Sequence, residues 1–197
     1  MKKIFTLFVG LLLSVVACFG ANDELFMLIG CMAEPSQPGM YVYRFNEASG
    51  TATLLHKVSQ IANPTYMNFT KDGHFLYAAS ETQDGKAKLY AYAFNNKTGD
   101  IRFLNYQLTD GDNPCNVWID AGKRLAVTAN YFGGSITAFP LQRDGRLLKG
   151  KLYQYKGGDP KSERQEQPHL HCVYASPDAH YLYADDLGTD QIYKYNL

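Results

Sequence analysis

Asn63-Pro64-Thr65-Tyr66-Met67-Asn68-Phe69-Thr70-Lys71-Asp72-Gly73-His74-Phe75-Leu76-Tyr77-Ala78 holds the pattern on which the chain is built. A proline opens a short apolar segment, Asp72-Gly73 supplies a turn that tolerates positive φ, and an aromatic-rich run returns as a strand. The same succession starts again at Asn113-Pro114 and Gln167-Pro168, 50 and 54 residues further on. Its turns are then Ala121-Gly122 and Pro177-Asp178, and its returning runs are Arg124-Leu125-Ala126-Val127 and Tyr181-Leu182-Tyr183-Ala184.

Each unit continues into a third run of alternating residues: Leu89-Tyr90-Ala91-Tyr92, Ile136-Thr137-Ala138-Phe139 and Ile192-Tyr193-Lys194-Tyr195, with Met40-Tyr41-Val42-Tyr43 as the N-terminal counterpart. Glycine turns at Ser49-Gly50, Thr98-Gly99 and Asp144-Gly145 lead to a fourth, outer strand. A repeat of this length built of four antiparallel strands is a propeller blade. The expected fold is all-β: a partial β-propeller of about three and a half four-stranded antiparallel blades, with fourteen strands in all. A propeller removes its exposed edges by closing its ring, so the reading is of a truncated piece of a longer chain. Made alone, such a piece is expected to aggregate or self-associate.

Tyrosine (15) and phenylalanine (11) are abundant, and acidic and basic residues balance at 19 each. Neither nucleic acid nor an acidic membrane surface is indicated as a partner. Met1-Lys2-Lys3 followed by apolar Ile4 to Ala17 reads as a secretory signal, too short for a transmembrane span. Two ends for it compete: a signal peptide over 1–20 with cleavage before Ala21, or a lipobox-like Val15-Val16-Ala17-Cys18 with a lipid anchor on Cys18. Either implies export to a bacterial periplasm or envelope and a single domain over 21–197. Cys31, Cys115 and Cys172 have neither a disulfide-framework nor a zinc-ligand spacing; at most one bridge could form among them in an oxidising compartment, and the alternative reading is of small buried apolar side chains.

Strand alternation puts the connections from fourth to first strand, and from second to third, on one face of the disc. That face collects Glu81 to Gly85, Asn130 to Gly134, Asp186 to Asp190, Asp110 to Cys115 and Arg164 to His171, whereas the other carries ordinary turns. In Arg164-Gln165-Glu166-Gln167-Pro168-His169-Leu170-His171 the histidines lie two apart and face one side of an inner strand. Alignment on the prolines sets His169 level with Thr65 and Cys115, and His171 level with Met67 and Val117. His169 is therefore expected to be open to the channel and His171 to be packed. A third metal ligand is not evident beside the pair, and no metal or cofactor is expected.

Gly111-Asp112-Asn113-Pro114-Cys115, Ala129-Asn130-Tyr131 with Gly133-Gly134-Ser135, Arg164-Gln165 with Pro168-His169-Leu170-His171, and Ser176-Pro177-Asp178 leading to Asp186-Leu187-Gly188-Thr189-Asp190 follow one another in order. Together they resemble the motifs of the seven-bladed propeller lactonases of the 6-phosphogluconolactonase family, from about Leu25 onward. The resemblance implies hydrolysis of a sugar lactone without a cofactor, with a base for water, donors for the oxyanion and an acid for the leaving alkoxide. His169, Arg164 and Glu81 are the expected catalytic residues, and Asn130, His171, Gln165 and Asp186 the expected substrate-binding ones. The leader conflicts with a cytosolic phosphorylated substrate and points to an unphosphorylated lactone or another ligand. A non-enzymatic exported binding propeller is the competing reading.

Overall fold

The computed structural model describes residues 24–32, 36–122 and 124–197; the expected leader and its cleavage site lie outside them. Among the described residues, fourteen strands form four antiparallel sheets, as the repeat implies. The first unit is β1 (Glu24–Gly30), β2 (Met40–Asn46) and β3 (Thr51–Val58). The first four-stranded blade is β4 (Pro64–Phe69), β5 (Phe75–Ser80), β6 (Lys88–Phe94) and β7 (Ile101–Leu108). The second is β8 (Pro114–Ile119), β9 (Leu125–Asn130), β10 (Ser135–Pro140) and β11 (Lys151–Gln154). The last sheet is β12 (Leu170–Ala175), β13 (Tyr181–Asp186) and β14 (Gln191–Asn196). One detail departs from the repeat. Asp144-Gly145 closes a small turn bridged by Leu141 and Leu147, and the outer strand waits until Lys151.

Period-two alternation sends successive side chains to opposite blade faces, and each face meets a different neighbour. On β5, Leu76 and Ala78 join Met40 and Ile61 of the preceding unit, whereas Tyr77 joins Val117 and Phe139 of the following blade. On β8, Val117 and Ile119 face backward, and Trp118 faces forward to Val173 and Leu182. Polar ties cross the same interfaces: Asn68 Nδ2 donates to the Val117 carbonyl at 3.2 Å, and Val173 N–H to Asn116 Oδ1 at 3.0 Å. Leu25 and Ile29 on the first unit, and Tyr174 and Ile192 on the last, are exposed. Among the described residues no helix is long and apolar enough to cross a membrane.

The blade-to-blade register corrects the alignment made on the prolines. Pro64 pairs with Ser80, Pro114 with Asn130, and Leu170, not Pro168, with Asp186. His169 is therefore level with Asn63 and Asn113, and His171 with Thr65 and Cys115. The connection before β12 is ten residues longer than its counterpart before β8, so Pro168 falls outside the strand.

Candidate functional site

Each inner strand carries a bulge at one place. The pairings skip Thr65 between Pro64 and Tyr66, Cys115 between Pro114 and Asn116, and His171 between Leu170 and Cys172. The extra residue has no partner on the neighbouring strand, which re-aims its side chain. Because β8 lies between β4 and β12, the three bulges share one wall. Thr65 and His171 are exposed and Cys115 partly so. His169 is only 2% exposed. The expected environments of the two histidines are thus exchanged, a direct result of the two-residue register difference.

His169 is held on all sides. Its N–H donates to Asp186 Oδ1 at 2.7 Å, its ring stacks on Tyr131 with centroids 4.5 Å apart, and Nδ1 lies 3.2 Å from the Tyr131 carbonyl. A carbonyl only accepts, so Nδ1 carries the proton of that bond. Nε2 faces Glu166 Oε1 at 3.4 Å. His171 meets the same Tyr131 ring edge-on, at 5.7 Å and 87°. One tyrosine thus links a buried imidazole to an exposed one.

Glu81 and Tyr131 occupy equivalent positions: the N–H of Glu81 donates to the Asn63 carbonyl and that of Tyr131 to the Asn113 carbonyl. Both then reach the next blade, Tyr131 to His169 and Glu81 to Asn113, whose Nδ2 donates to Glu81 Oε1 at 3.4 Å. Asn113 Oδ1 is buried and, among the described residues, has no hydrogen-bond partner. Burial pushes the Cys115 thiol up to about 12, with the Glu81 charge adding to the effect. At neutral pH it is a thiol and not a nucleophilic thiolate. Its Sγ sits 3.4 Å from the His171 carbonyl, which completes a continuous line from Glu81 through Asn113 and Cys115 to His171.

Other expected residues lie beneath or beside this wall. Asn130 is 0% exposed, and its amide is saturated: Thr128 donates to Oδ1, while Nδ2 donates to Ser135 and Thr137 hydroxyls at 3.1 and 3.0 Å. Its side chain is wholly enclosed. Asp186, 3% exposed, accepts from the N–H groups of His169 and Gly188 and from the Thr189 hydroxyl, so it too supports the site from below. The Gln165 side chain bridges the Leu187 carbonyl and Asp190 Oδ1 at 2.9 and 2.7 Å, tying two loops together. Arg164 is exposed on the connection before β12. Gly188 is required where it stands, because a Cβ there would lie 1.8 Å from the Gln167 carbonyl oxygen.

Tyr131, Glu166, Asn113 and Cys115 are the residues that sequence reasoning did not single out. The stem Asn-Pro and the Asn-Tyr pair were in view, but only pairing across blades shows what they touch. Among the described residues no three His, Cys, Asp or Glu side chains converge as a metal site.

Comparison with known proteins agrees with this architecture. The family described as Lactonase, 7-bladed beta-propeller, matches residues 26–197. The 6-phosphogluconolactonase of Bacillus subtilis strain 168 is 33% identical over 169 residues, which cover 86% of this chain and 48% of that protein. The crystal structure of a putative 6-phosphogluconolactonase from Bacteroides fragilis superimposes with a TM-score of 0.83 at 44% identity, covering 89% of this chain and 49% of the other. The periplasmic gluconolactonase of Pseudomonas aeruginosa gives 0.78 at 29% identity, covering 88% and 50%. The chain spans about half the length of these relatives. With the blade repeat, the register and the motif order in agreement, the chain belongs to the seven-bladed β-propeller lactonase family.

Proposed function

We propose that the polypeptide containing this chain hydrolyses a sugar lactone to the open hydroxy acid. The observation that carries the reading is the bulged, exposed His171, set edge-on to Tyr131 on the wall that also holds Glu81 and Asn113. In the reaction, water adds to the lactone carbonyl, the ring C–O bond breaks, and the proton removed from water ends on the leaving alkoxide. An imidazole can perform both transfers in turn. We assign these to His171. Stacked and buried, His169 is a positioning residue that fixes Tyr131 and, through it, the His171 ring. Arg164 is the candidate donor to the carbonyl oxyanion, and Glu81 acts through Asn113 or directly on substrate hydroxyls. Asn130, Asp186 and Gln165 act on the loops and not on the substrate.

Lactone disappearance above spontaneous hydrolysis, followed in a pH-stat with gluconolactone and its 6-phosphate, tests the reading on the natural polypeptide that contains residues 24–197. Replacing His171 with Asn is expected to lower kcat by about 10²–10⁴ and to abolish the acidic limb of the pH profile. His169→Gln keeps that limb at reduced kcat. A His171→Asn variant with parental turnover overturns the assignment, and a parent no faster than buffer overturns the lactonase.

The leader and the likeness to a periplasmic gluconolactonase support export, and export in turn favours the unphosphorylated lactone. Mass spectrometry of the mature N-terminus decides this: Ala21 or a lipid-modified Cys18 supports it, and an intact Met1 overturns it.

A further inference from the structure

Phe132 stands on the connection from β9 to β10, on the face that gathers the polar loops, and is 45% exposed. The N–H groups of Glu81, Tyr131 and Leu187 donate to the carbonyls of Asn63, Asn113 and His169, which sets the residues that follow them, Thr82, Phe132 and Gly188, level with one another. A threonine and a glycine serve the same place on the neighbouring blades, so the repeat itself does not require a ring there.

The backbone nevertheless holds that ring in a fixed place. Gln167 Nε2 donates to the Phe132 carbonyl at 3.2 Å, Gly133 N–H to the Asp112 carbonyl at 3.0 Å, and Gln154 Nε2 to the carbonyls of Gly133 and Gly134 at 2.9 Å each. Gly133 admits no side chain, since a Cβ would lie 2.6 Å from Asp112 N. Tyr131 and His169 are stacked, and Phe132 is nearly perpendicular to both with centroids 5.1 and 5.8 Å away, so it flanks the stack instead of capping it. Because Tyr131 also meets His171, a single tyrosine separates Phe132 from the imidazole assigned to proton transfer. Glu166, with a side chain 43% exposed and Oε1 3.4 Å from His169 Nε2, puts a hydroxyl acceptor against the same stack.

We propose that Phe132 is a specificity-determining residue that stacks on the C–H face of the sugar lactone whose carbonyl His171 serves. The inference rests on the lactonase reading and deepens it. A lone ring bordered by a carboxylate and loop amides matches a pyranose, whose small C–H patch is edged with hydroxyls, and offers too little area for an extended apolar partner. The C–H groups take no part in the bond changes, so the contact acts equally on ground state and transition state. Its loss therefore appears in KM and not in kcat.

Initial rates with gluconolactone above spontaneous hydrolysis, on the natural polypeptide that contains residues 24–197, test it. Phe132→Thr, which the fold already accepts at Thr82, is expected to raise KM about tenfold with kcat within about twofold of the parent, and Phe132→Tyr to keep both. The inhibition constant of the non-hydrolysable gluconolactam should rise by the same factor in Phe132→Thr. A threonine variant with the parent's KM, a fall in kcat at unchanged KM, or a tyrosine variant as weak as the threonine one overturns the assignment and leaves the lactonase standing. A parent no faster than buffer overturns the lactonase reading and the assignment with it.

Discussion

Replacing Asp186 with alanine tests whether a buried carboxylate, and not the histidine's own packing, holds the loops around the site. Asp186 is 3% exposed and accepts from His169 N–H at 2.7 Å, Gly188 N–H at 2.9 Å and the Thr189 hydroxyl at 2.7 Å. Alanine leaves two buried backbone N–H groups without acceptors, at about 1–3 kcal/mol each, so the expected loss is about 2–6 kcal/mol. Asparagine is milder. Its single amide oxygen can accept both N–H groups and the Thr189 hydroxyl can rotate to accept from the amide nitrogen. Only the extra strength of bonds to a charged acceptor is then lost, about 1–2 kcal/mol. Urea unfolding followed by far-UV circular dichroism measures both losses, and amide hydrogen exchange reads the His169 and Gly188 N–H groups directly. Because a domain's whole stability is about 5–15 kcal/mol, the alanine variant should be marginal. An alanine variant within about 0.5 kcal/mol of the parent, with both amides still protected, refutes the reasoning.

Further outcomes follow from the same geometry. Gly188→Ala drives a Cβ to 1.8 Å from the Gln167 carbonyl oxygen and 2.9 Å from His169 N, and should cost about 2 kcal/mol or more in urea unfolding. Tyr131→Phe should unfold within about 0.5 kcal/mol of the parent, whereas Tyr131→Ala should lose about 3 kcal/mol because both histidine rings lose their partner. The Cys115 thiol is pushed up from 9.0 to about 12 in the folded chain. A raised folded value gives stability that is complete below pH 9 and lost as the pH rises toward 12. Cys115→Ala should flatten that part of the pH–stability curve, and in the parent Cys115 should resist iodoacetamide at pH 8 until the chain unfolds.

Blade number, strand order and the face that gathers the polar loops were legible in the sequence, because period-two alternation and turn residues are local properties read along the chain. Leu76 and Tyr77 show why. Adjacent residues must face opposite ways in a strand, and here each finds a core of its own. The two histidines show the limit. Pro168 looks like Pro64 and Pro114, but the longer connection before β12 removes it from the strand, and pairing with Asp186 selects Leu170 instead. A shift of two keeps the alternation intact, so no local signal marks it. The bulges that turn Thr65, Cys115 and His171 outward are set by pairing with β5, β9 and β13, which lie later in the chain. Whether Asn130 and Asp186 meet a substrate or saturate buried groups depends on which hydroxyls and N–H groups the fold delivers to them. Sequence determined the blades and the face; tertiary pairing alone decided which imidazole is open, because burial and hydrogen-bond saturation are properties of neighbours distant along the chain.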